Sequence, residues 1–216
     1  MASVLSRLNC KEERMTWIIT PDKYLHPDQV HALRKTIEAS MLKAKSNGRQ
    51  IAVRDYTVIE VALSTGLRVS ELSNLLVADI QLGRGQNSLI VRMGKGGKTG
   101  VIQFSTRLKN IILEYLSYRD SDSPYLFYSA RSEQILVSGL QKIFKNYARN
   151  AGLDNRYSIH CLRHTYATEL YKASGYNLRL VQQQLRHSSI QTTSVYSAVI
   201  NPDIEKAVEA MDSMEK

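Results

Sequence analysis

Residues 160–170 read HCLRHTYATEL, and residues 185–196 read LRHSSIQTTSVY. The apolar spacing predicts one helix over 160–173 and another over 178–185. The first helix would carry an apolar stripe made of Leu162, Tyr166, Leu170 and Ala173. At 100° per residue, His160 and Arg163 lie just off the edge of that stripe. We therefore predict that both side chains face the rim of the core, and that His187 and Tyr196 follow the second helix.

Arginine, histidine and tyrosine side chains in this pattern can bind a phosphodiester and attack its phosphorus. The planar fork of a partly desolvated arginine such as Arg163 can bind two non-bridging oxygens. A tyrosine such as Tyr196 can attack phosphorus, but a phenol with a pKa near 10 is mostly protonated at neutral pH. It would need a histidine to take its proton and nearby arginines to favour the phenolate. Taken alone, His-x-x-Arg is a weak signal and more often marks an ordinary capped helix start with a surface arginine.

The longer pattern resembles the catalytic domain of the tyrosine recombinases, the phage-integrase family of DNA strand-exchange enzymes, over about residues 25 to 200. The family pattern His-x-Leu-Arg-His-x-x-Ala-Thr-x-Leu is matched by His160, Leu162, Arg163, His164, Ala167, Thr168 and Leu170. The resemblance implies that Tyr196 is the nucleophile and that Arg163 holds the scissile phosphate. It also implies that His160 takes up or orients the phenolic proton and that His187 donates to a non-bridging oxygen. Arg186 stands where the family usually has glycine, which predicts a different turn before His187.

Residues 65–72, TGLRVSEL, resemble the family's first arginine motif. The resemblance implies that Arg68 holds the phosphate from the side opposite Arg163. Two guanidinium groups would neutralise the charge that builds on the oxygens as phosphorus becomes five-coordinate. Glu71 would orient Arg68. The alternative is a purely structural salt bridge from Arg68 to Glu71 or Asp79.

Lys95 lies in a glycine-rich turn between two alternating apolar segments, 88–93 and 101–104, which predict a β-hairpin. In the family a hairpin lysine protonates the leaving 5′ oxygen, whose conjugate acid has a high pKa. Lys98 competes for that role. The alternative is a lysine that only touches backbone phosphate.

The predicted fold class is α+β, mostly helical, with a small antiparallel three-stranded sheet completed by a strand near 77–82. A first helix opens at Pro27, and Asp55 is predicted to cap the second. Residues 1–20 are interpreted as a lead-in or linker, 21–200 as the catalytic domain and 201–216 as a tail helix. The apolar face of the tail would pack on its own domain or on a neighbouring protomer.

The charge balance favours a polyanionic partner, since 29 Lys and Arg exceed 20 Asp and Glu, giving +9. Charge alone does not separate DNA from RNA or an acidic membrane surface. No segment approaches the roughly 20 apolar residues of a spanning helix, so we expect a cytosolic protein and no membrane partner. Cys10 and Cys161 are predicted to be free thiols, since the sequence shows no sign of export. Cys161 lies beside His160, but no second cysteine or acidic ligand completes a metal spacing, which favours a packing role.

The resemblance implies double-stranded DNA as the partner, a homotetramer on DNA, accessory DNA-bending proteins, and no metal or nucleotide cofactor. The family usually adds an N-terminal helical domain that clamps the opposite face of the duplex. Only about 20 residues precede the catalytic pattern in this sequence. We therefore expect either a catalytic domain alone or a short member of the family, such as a fimbrial-switch invertase. The alternatives are a type IB topoisomerase, which rejoins the same ends, and a DNA-binding regulator that has lost turnover.

Overall fold

The computed structural model describes residues 21–47, 50–83, 86–92, 99–130, 132–187 and 191–196. Within these ranges the chain forms helices and one small sheet, which confirms the predicted mostly helical α+β class. The elements in chain order are α1 (Pro27–Ser46), α2 (Gln50–Thr65), α3 (Val69–Ser73), β1 (Ile80–Gly83), β2 (Gln86–Val91), β3 (Gly100–Gln103), α4 (Thr106–Tyr118), α5 (Val137–Asn150), α6 (His160–Ala173), α7 (Leu178–Leu185) and α8 (Gln191–Ser194). The lead-in at 1–20 with Cys10, and the tail at 201–216, lie outside the described residues.

Helix α2 lies at the centre, because its sequence is apolar on nearly every side. It packs against α1, α3, α4, α5 and α6. Its fully buried Glu60 accepts hydrogen bonds from Arg34 and Arg107 at 3.1 and 2.8 Å, which compensates the buried charge. The predicted cap at Asp55 is wrong: α2 begins five residues earlier, at Gln50, and Asp55 pairs with Arg54 inside the helix.

The chain turns away from α2 at Gly66, which has a φ of +62°. A Cβ atom there would lie 2.5 Å from the Tyr166 ring and 2.9 Å from the Leu185 side chain. Only glycine fits both the left-handed backbone and the close approach. The turn carries the chain directly to Arg68 at the start of α3.

The sheet is antiparallel with strand order β1-β2-β3, as predicted. Leu89 in β2 stands opposite Ile80 and Ile102, and Leu89 and Ile102 are fully buried. Strand β1 begins at Ile80 because the preceding Val77–Asp79 form a 3-10 helix. The turn at 93–98, with Lys95 and Lys98, lies outside the described residues.

The predicted apolar stripe of α6 is only partly right: Leu162 is buried, but Tyr166 and Leu170 are half-buried and Ala173 is exposed. The buried residues of α6 are Cys161, Leu162, Arg163, Thr165, Ala167, Thr168 and Tyr171. One side packs on α2, while Ala167 and Tyr171 join a second apolar cluster with Val181, Leu185 and Tyr196. The stripe was misplaced because α6 packs against α2 on one side and against the second apolar cluster on another. Cys161 is a buried free thiol, and burial raises its pKa to about 12.

Candidate active site

Arg163 is buried in α6 and its guanidinium donates to three acceptors. One Nη1 hydrogen goes to the Gly66 carbonyl, while Nη2 donates to the Leu185 carbonyl at 3.0 Å and to His187 Nε2 at 2.9 Å. The arginine therefore joins the turn after α2, the end of α7 and His187. The prediction placed Arg163 at the rim of the core, but it is only 7% exposed.

The hydrogen bond from Arg163 determines which ring nitrogen of His187 carries the proton. A guanidinium can only donate, so Nε2 must accept, and the neutral ring then carries its proton on Nδ1. Nδ1 lies 2.9 Å from the hydroxyl of the buried Thr193. Burial, reinforced by the positive charge of Arg163, lowers the pKa of His187 to about 4. In this arrangement His187 Nε2 accepts from Arg163, so the predicted donation to a phosphate oxygen requires the ring to change partner or tautomer.

Arg68 precedes α3 and is held by Glu71 at two points. Its backbone N–H donates to Glu71 Oε2 at 2.8 Å, and its Nη1 donates to Oε1 at 2.9 Å. Of the two carboxylates predicted as partners of Arg68, Glu71 is therefore the one that binds it, whereas Asp79 pairs with Arg92. Burial alone would raise the pKa of Glu71, but the bonds from Arg68 and the charge of Arg186 lower it. Glu71 stays ionised and keeps Arg68 in one orientation.

Arg186 adopts the left-handed conformation at the end of α7, with φ 55° and ψ 43°. The N–H groups of Arg186 and His187 donate to the carbonyls of Gln183 and Gln182 at 3.0 Å each, the pattern in which a glycine usually ends a helix. The expectation of a different turn is therefore wrong. The Arg186 guanidinium reaches across to Glu71 Oε2 at 2.7 Å.

Tyr196 is only 2% exposed, and its hydroxyl lies 3.2 Å from His164 Nδ1. Burial raises the pKa of this phenol to about 12, opposed by Arg163 and then Arg68. Burial also lowers the pKa of His164 to about 4, so the ring is neutral and able to accept a proton. Sequence reasoning gave this contact to His160 and missed His164, although His164 belongs to the same motif one helical turn later. Tyr171 is buried in the apolar cluster around Tyr196.

His160 is exposed at the first residue of α6 and lines a polar pocket of about 250 Å³. Lys23, Arg156 and His164 line the same pocket. The structure thus brings Arg68, Arg163, His187 and Tyr196 close enough for the two arginine charges to act on His187 and Tyr196. His160 lines the same pocket as His164, the hydrogen-bond partner of Tyr196. Lys95, the sixth predicted site residue, lies outside the described residues.

The two arginines of the site repel each other. Burial lowers the pKa of Arg163 to about 10, and the charge of Arg68 is the next cause. Arg163 still remains protonated at neutral pH, so two positive charges from separate sequence motifs converge beside Tyr196. An oxyanion placed between them would relieve that repulsion.

Residues 23–201 match the phage integrase family. The chain belongs to this family. The resemblance drawn from the histidine, arginine and tyrosine motifs is therefore confirmed, over almost the range expected. As an integrase-family domain, the chain is similar to tyrosine recombinases named XerA and XerC.

Tyrosine recombinase XerA of Pyrococcus furiosus is 38% identical over 166 residues, which cover 76% of this chain and 56% of the relative. Tyrosine recombinase XerC of Caldanaerobacter subterraneus is 34% identical over 183 residues, covering 82% and 50%. The integrase-family chain thus spans about half the length of these relatives.

Solved recombinases share the fold. A crystal structure of XerA recombinase superposes with a TM-score of 0.67 at 26% identity, covering 95% of this chain and 66% of that one. XerH site-specific recombinase bound to its difH substrate gives a TM-score of 0.70 at 24% identity, covering 86% and 52%. The likeness to XerH shows the fold alone.

Two further properties concern the described residues of this integrase-family chain. None of their helices is long and apolar enough to cross a membrane. They also contain no group of three or more His, Cys, Asp or Glu side chains arranged to hold a metal ion.

Proposed function

We propose that this domain is a site-specific recombinase that cleaves and rejoins double-stranded DNA through a 3′-phosphotyrosyl intermediate. The observation that carries the proposal is the convergence of Arg68 and Arg163 beside Tyr196. Glu71 and three acceptors preorganise the two guanidinium groups, which suits stabilisation of a five-coordinate phosphorane. The names of the XerA and XerC relatives support the same activity.

In the proposed reaction, the Tyr196 oxygen attacks phosphorus and the bond from phosphorus to the 5′ oxygen breaks. The phenolic proton passes to a histidine, and the 5′ oxygen takes a proton from Lys95. Attack by the 5′-hydroxyl of a partner strand reverses these steps and releases the phenol. One phosphodiester is exchanged for a phosphotyrosine and back, so the reaction needs neither ATP nor a metal ion.

His164 is the proton acceptor that the geometry favours, because it is neutral and within hydrogen-bonding distance of Tyr196. His160, which is exposed at the start of α6, would contact the phosphate. Lys23 and Arg156 line the same pocket as His160, and they suit neighbouring backbone phosphates.

A type IB topoisomerase would share the cleavage chemistry, but it would rejoin the same ends without a partner. A regulator that had lost turnover would need no preorganised arginine pair around a tyrosine. We therefore favour the recombinase proposal over both alternatives.

The proposal includes a homotetramer on DNA in the cytoplasm, with accessory DNA-bending proteins as further partners. The tail would join protomers through its apolar face, formed by Ile204, Ala207, Val208 and Met211. A groove of about 380 Å³ between α1, α2 and α6 is a candidate acceptor for the tail. Val30, Leu63, Tyr166 and Leu170 contribute apolar surface to it.

The test uses a pool of duplexes of random sequence, each nicked a few bases from the candidate cleavage position. After cleavage, the short 5′-hydroxyl fragment diffuses away and leaves the covalent adduct trapped. We expect a denaturant-resistant adduct on Tyr196, and sequencing of the captured DNA should return a preferred site. Absence of any adduct at low salt and high protein concentration, where phosphate-driven binding is strongest, would remove the proposal.

A further inference from the structure

We propose that Arg186 is a positioning residue, which orients the Arg68 guanidinium by holding Glu71 from the opposite side. The inference rests on the proposed function, since it assigns a role in the same phosphate site. It gives a reason for an arginine at a position whose backbone favours glycine.

The two oxygens of Glu71 are divided between two arginines. Oε1 accepts from Arg68 Nη1, and Oε2 accepts from the Arg68 backbone and from Arg186 Nη2. The side chain of Glu71 is only 4% exposed, so water offers little replacement for a lost partner. Removing Arg186 would leave Oε2 with one donor and free the carboxylate to rotate, and Arg68 would follow it.

Arg186 is held in place by more than this ion pair. A Cβ atom on Gly100 would lie 2.4 Å from Arg186 Cδ, so the side chain runs directly over the first residue of β3. Arg186 therefore touches α3 through Glu71 and the sheet through Gly100, while its own backbone precedes His187. The Arg186 side chain therefore links the first arginine motif, through Glu71, to the first residue of β3.

The geometry argues against a direct phosphate contact by Arg186. Its side chain is 14% exposed, compared with 29% for Arg68, and its Nη2 is committed to Glu71. Arg186 therefore presents less of its guanidinium to DNA than Arg68 does. Arg186 should consequently affect the rate of cleavage and not the salt dependence of binding.

The test compares Arg186→Gly, Arg186→Lys and the unchanged chain in single-turnover cleavage of the nicked duplex captured above, at saturating DNA. We expect Arg186→Gly to cleave at least about 10-fold more slowly, since misplacement of a catalytic group by about 1 Å can cost about 100-fold. Arg186→Lys should recover part of the loss. Thermal stability is measured for each variant, because glycine relieves the left-handed backbone while the loss of a donor to the buried Glu71 opposes that gain.

Tyr176→Gly is the matched control. Tyr176 also has a positive φ, 64°, but lies outside the site, so this variant shares the backbone relief and should cleave at the normal rate. The variant Glu71→Gln measures whether the effects of Arg186 and Glu71 on the cleavage rate are coupled. If Arg186 acts through Glu71, adding Arg186→Gly to Glu71→Gln should lower the rate by less than about twofold.

Three results would overturn the inference while leaving the proposed function intact: normal cleavage by Arg186→Gly, a fully multiplicative loss in the double variant, or a salt slope reduced by about 0.9. The last result would make Arg186 a direct phosphate ligand. If the unchanged chain forms no adduct, the proposed function fails and the inference fails with it.

Discussion

The hydroxyl of the buried Tyr196 is hydrogen-bonded to Nδ1 of His164, which lines the pocket at the start of α6. The phenol packs with Ala167, Val181 and Leu185, and the neighbouring histidine is neutral. A nucleophile with a pKa of about 12 needs both a proton acceptor and positive charge to become reactive at neutral pH. In the proposed reaction His164 would accept the proton and the two arginines would supply the charge. Because Tyr196 is 2% exposed, it must leave this position to reach a duplex.

Tyr196→Phe should bind DNA with unchanged affinity and form no covalent adduct, since only the attacking oxygen is removed. The measurement is a denaturing gel with the captured duplex, alongside a filter-binding titration. Tyr171→Phe is the control, because Tyr171 is buried in the same apolar cluster and should keep adduct formation. An adduct that persists in Tyr196→Phe and maps to another tyrosine would end the assignment.

Much of this fold could be predicted because its signals are local. The helical spacing located α6 and α7, and the alternating segments 88–93 and 101–104 located the hairpin to within about two residues. Asp55 was misassigned because a residue that can cap a helix can equally pair with Arg54 inside one. Local pattern does not distinguish the two cases.

The site was harder to predict where it depends on packing between distant elements. Motif matching placed Arg68 and Arg163, but only tertiary structure shows that Arg163 is buried and bonded to the turns after α2 and α7. It also shows that His164, and not His160, meets Tyr196. Arg186 was expected to disturb its turn, because a propensity for glycine does not reveal an ion pair with Glu71.

Acidification should destabilise the fold between pH 6.5 and about 4. His164 and His187 have a pKa of about 4 in the fold, below the value near 6.5 of an unfolded chain. Between these values the unfolded state binds more protons, so the free energy of unfolding falls as the pH falls, by up to about 1.4 kcal/mol per pH unit for each histidine. The stabilisation is complete above pH 6.5.

Urea titrations across this range measure the effect. His164→Gln and His187→Gln should each flatten the pH dependence, and His31→Gln, at an exposed position of α1, controls for the loss of a histidine as such. Equal slopes in all four proteins would contradict the assignment of neutral histidines to the site.

Gly66→Ala should destabilise the protein by about 2–4 kcal/mol, because the new methyl group meets Tyr166 and Leu185 in addition to the left-handed backbone. Gly152→Ala is the matched control. Gly152 has a φ of +73° and nothing within 4 Å of its added Cβ, so it should lose only about 1 kcal/mol. Chemical denaturation measures both. Since the Gly66 carbonyl accepts from Arg163, cleavage should also fall in Gly66→Ala and stay normal in Gly152→Ala.

Lys95→Ala should cleave an ordinary duplex poorly and recover on a duplex with sulfur at the bridging 5′ position. A thiolate leaves without protonation, so the substrate no longer needs the acid. Single-turnover rates on the two substrates give the comparison, and Lys98→Ala should show no such rescue. Equal defects on oxygen and sulfur substrates would show that Lys95 is not the acid.

Deleting everything after Pro202 should separate cleavage from recombination. If residues 203–213 dock on a neighbouring protomer, the truncated chain should still cleave with Tyr196 but assemble poorly. Burying four apolar side chains contributes several kcal/mol at ~25 cal/mol per Å², and the assembled state would lose that contribution. Recombinant product should then fall far more than adduct, both measured at low salt and high protein concentration.

Point variants in the tail refine the comparison. Val208→Ser and Met211→Ser alter the apolar face, whereas Lys206→Ser alters the opposite face of the predicted helix and should recombine normally. If the tail packs on its own domain, Val208→Ser should instead lower thermal stability and reduce cleavage and recombination together. A topoisomerase needs no partner. Relaxation of supercoiled plasmid by dilute protein, with no sequence preference and no recombinant product at any concentration, would therefore count against the recombinase proposal.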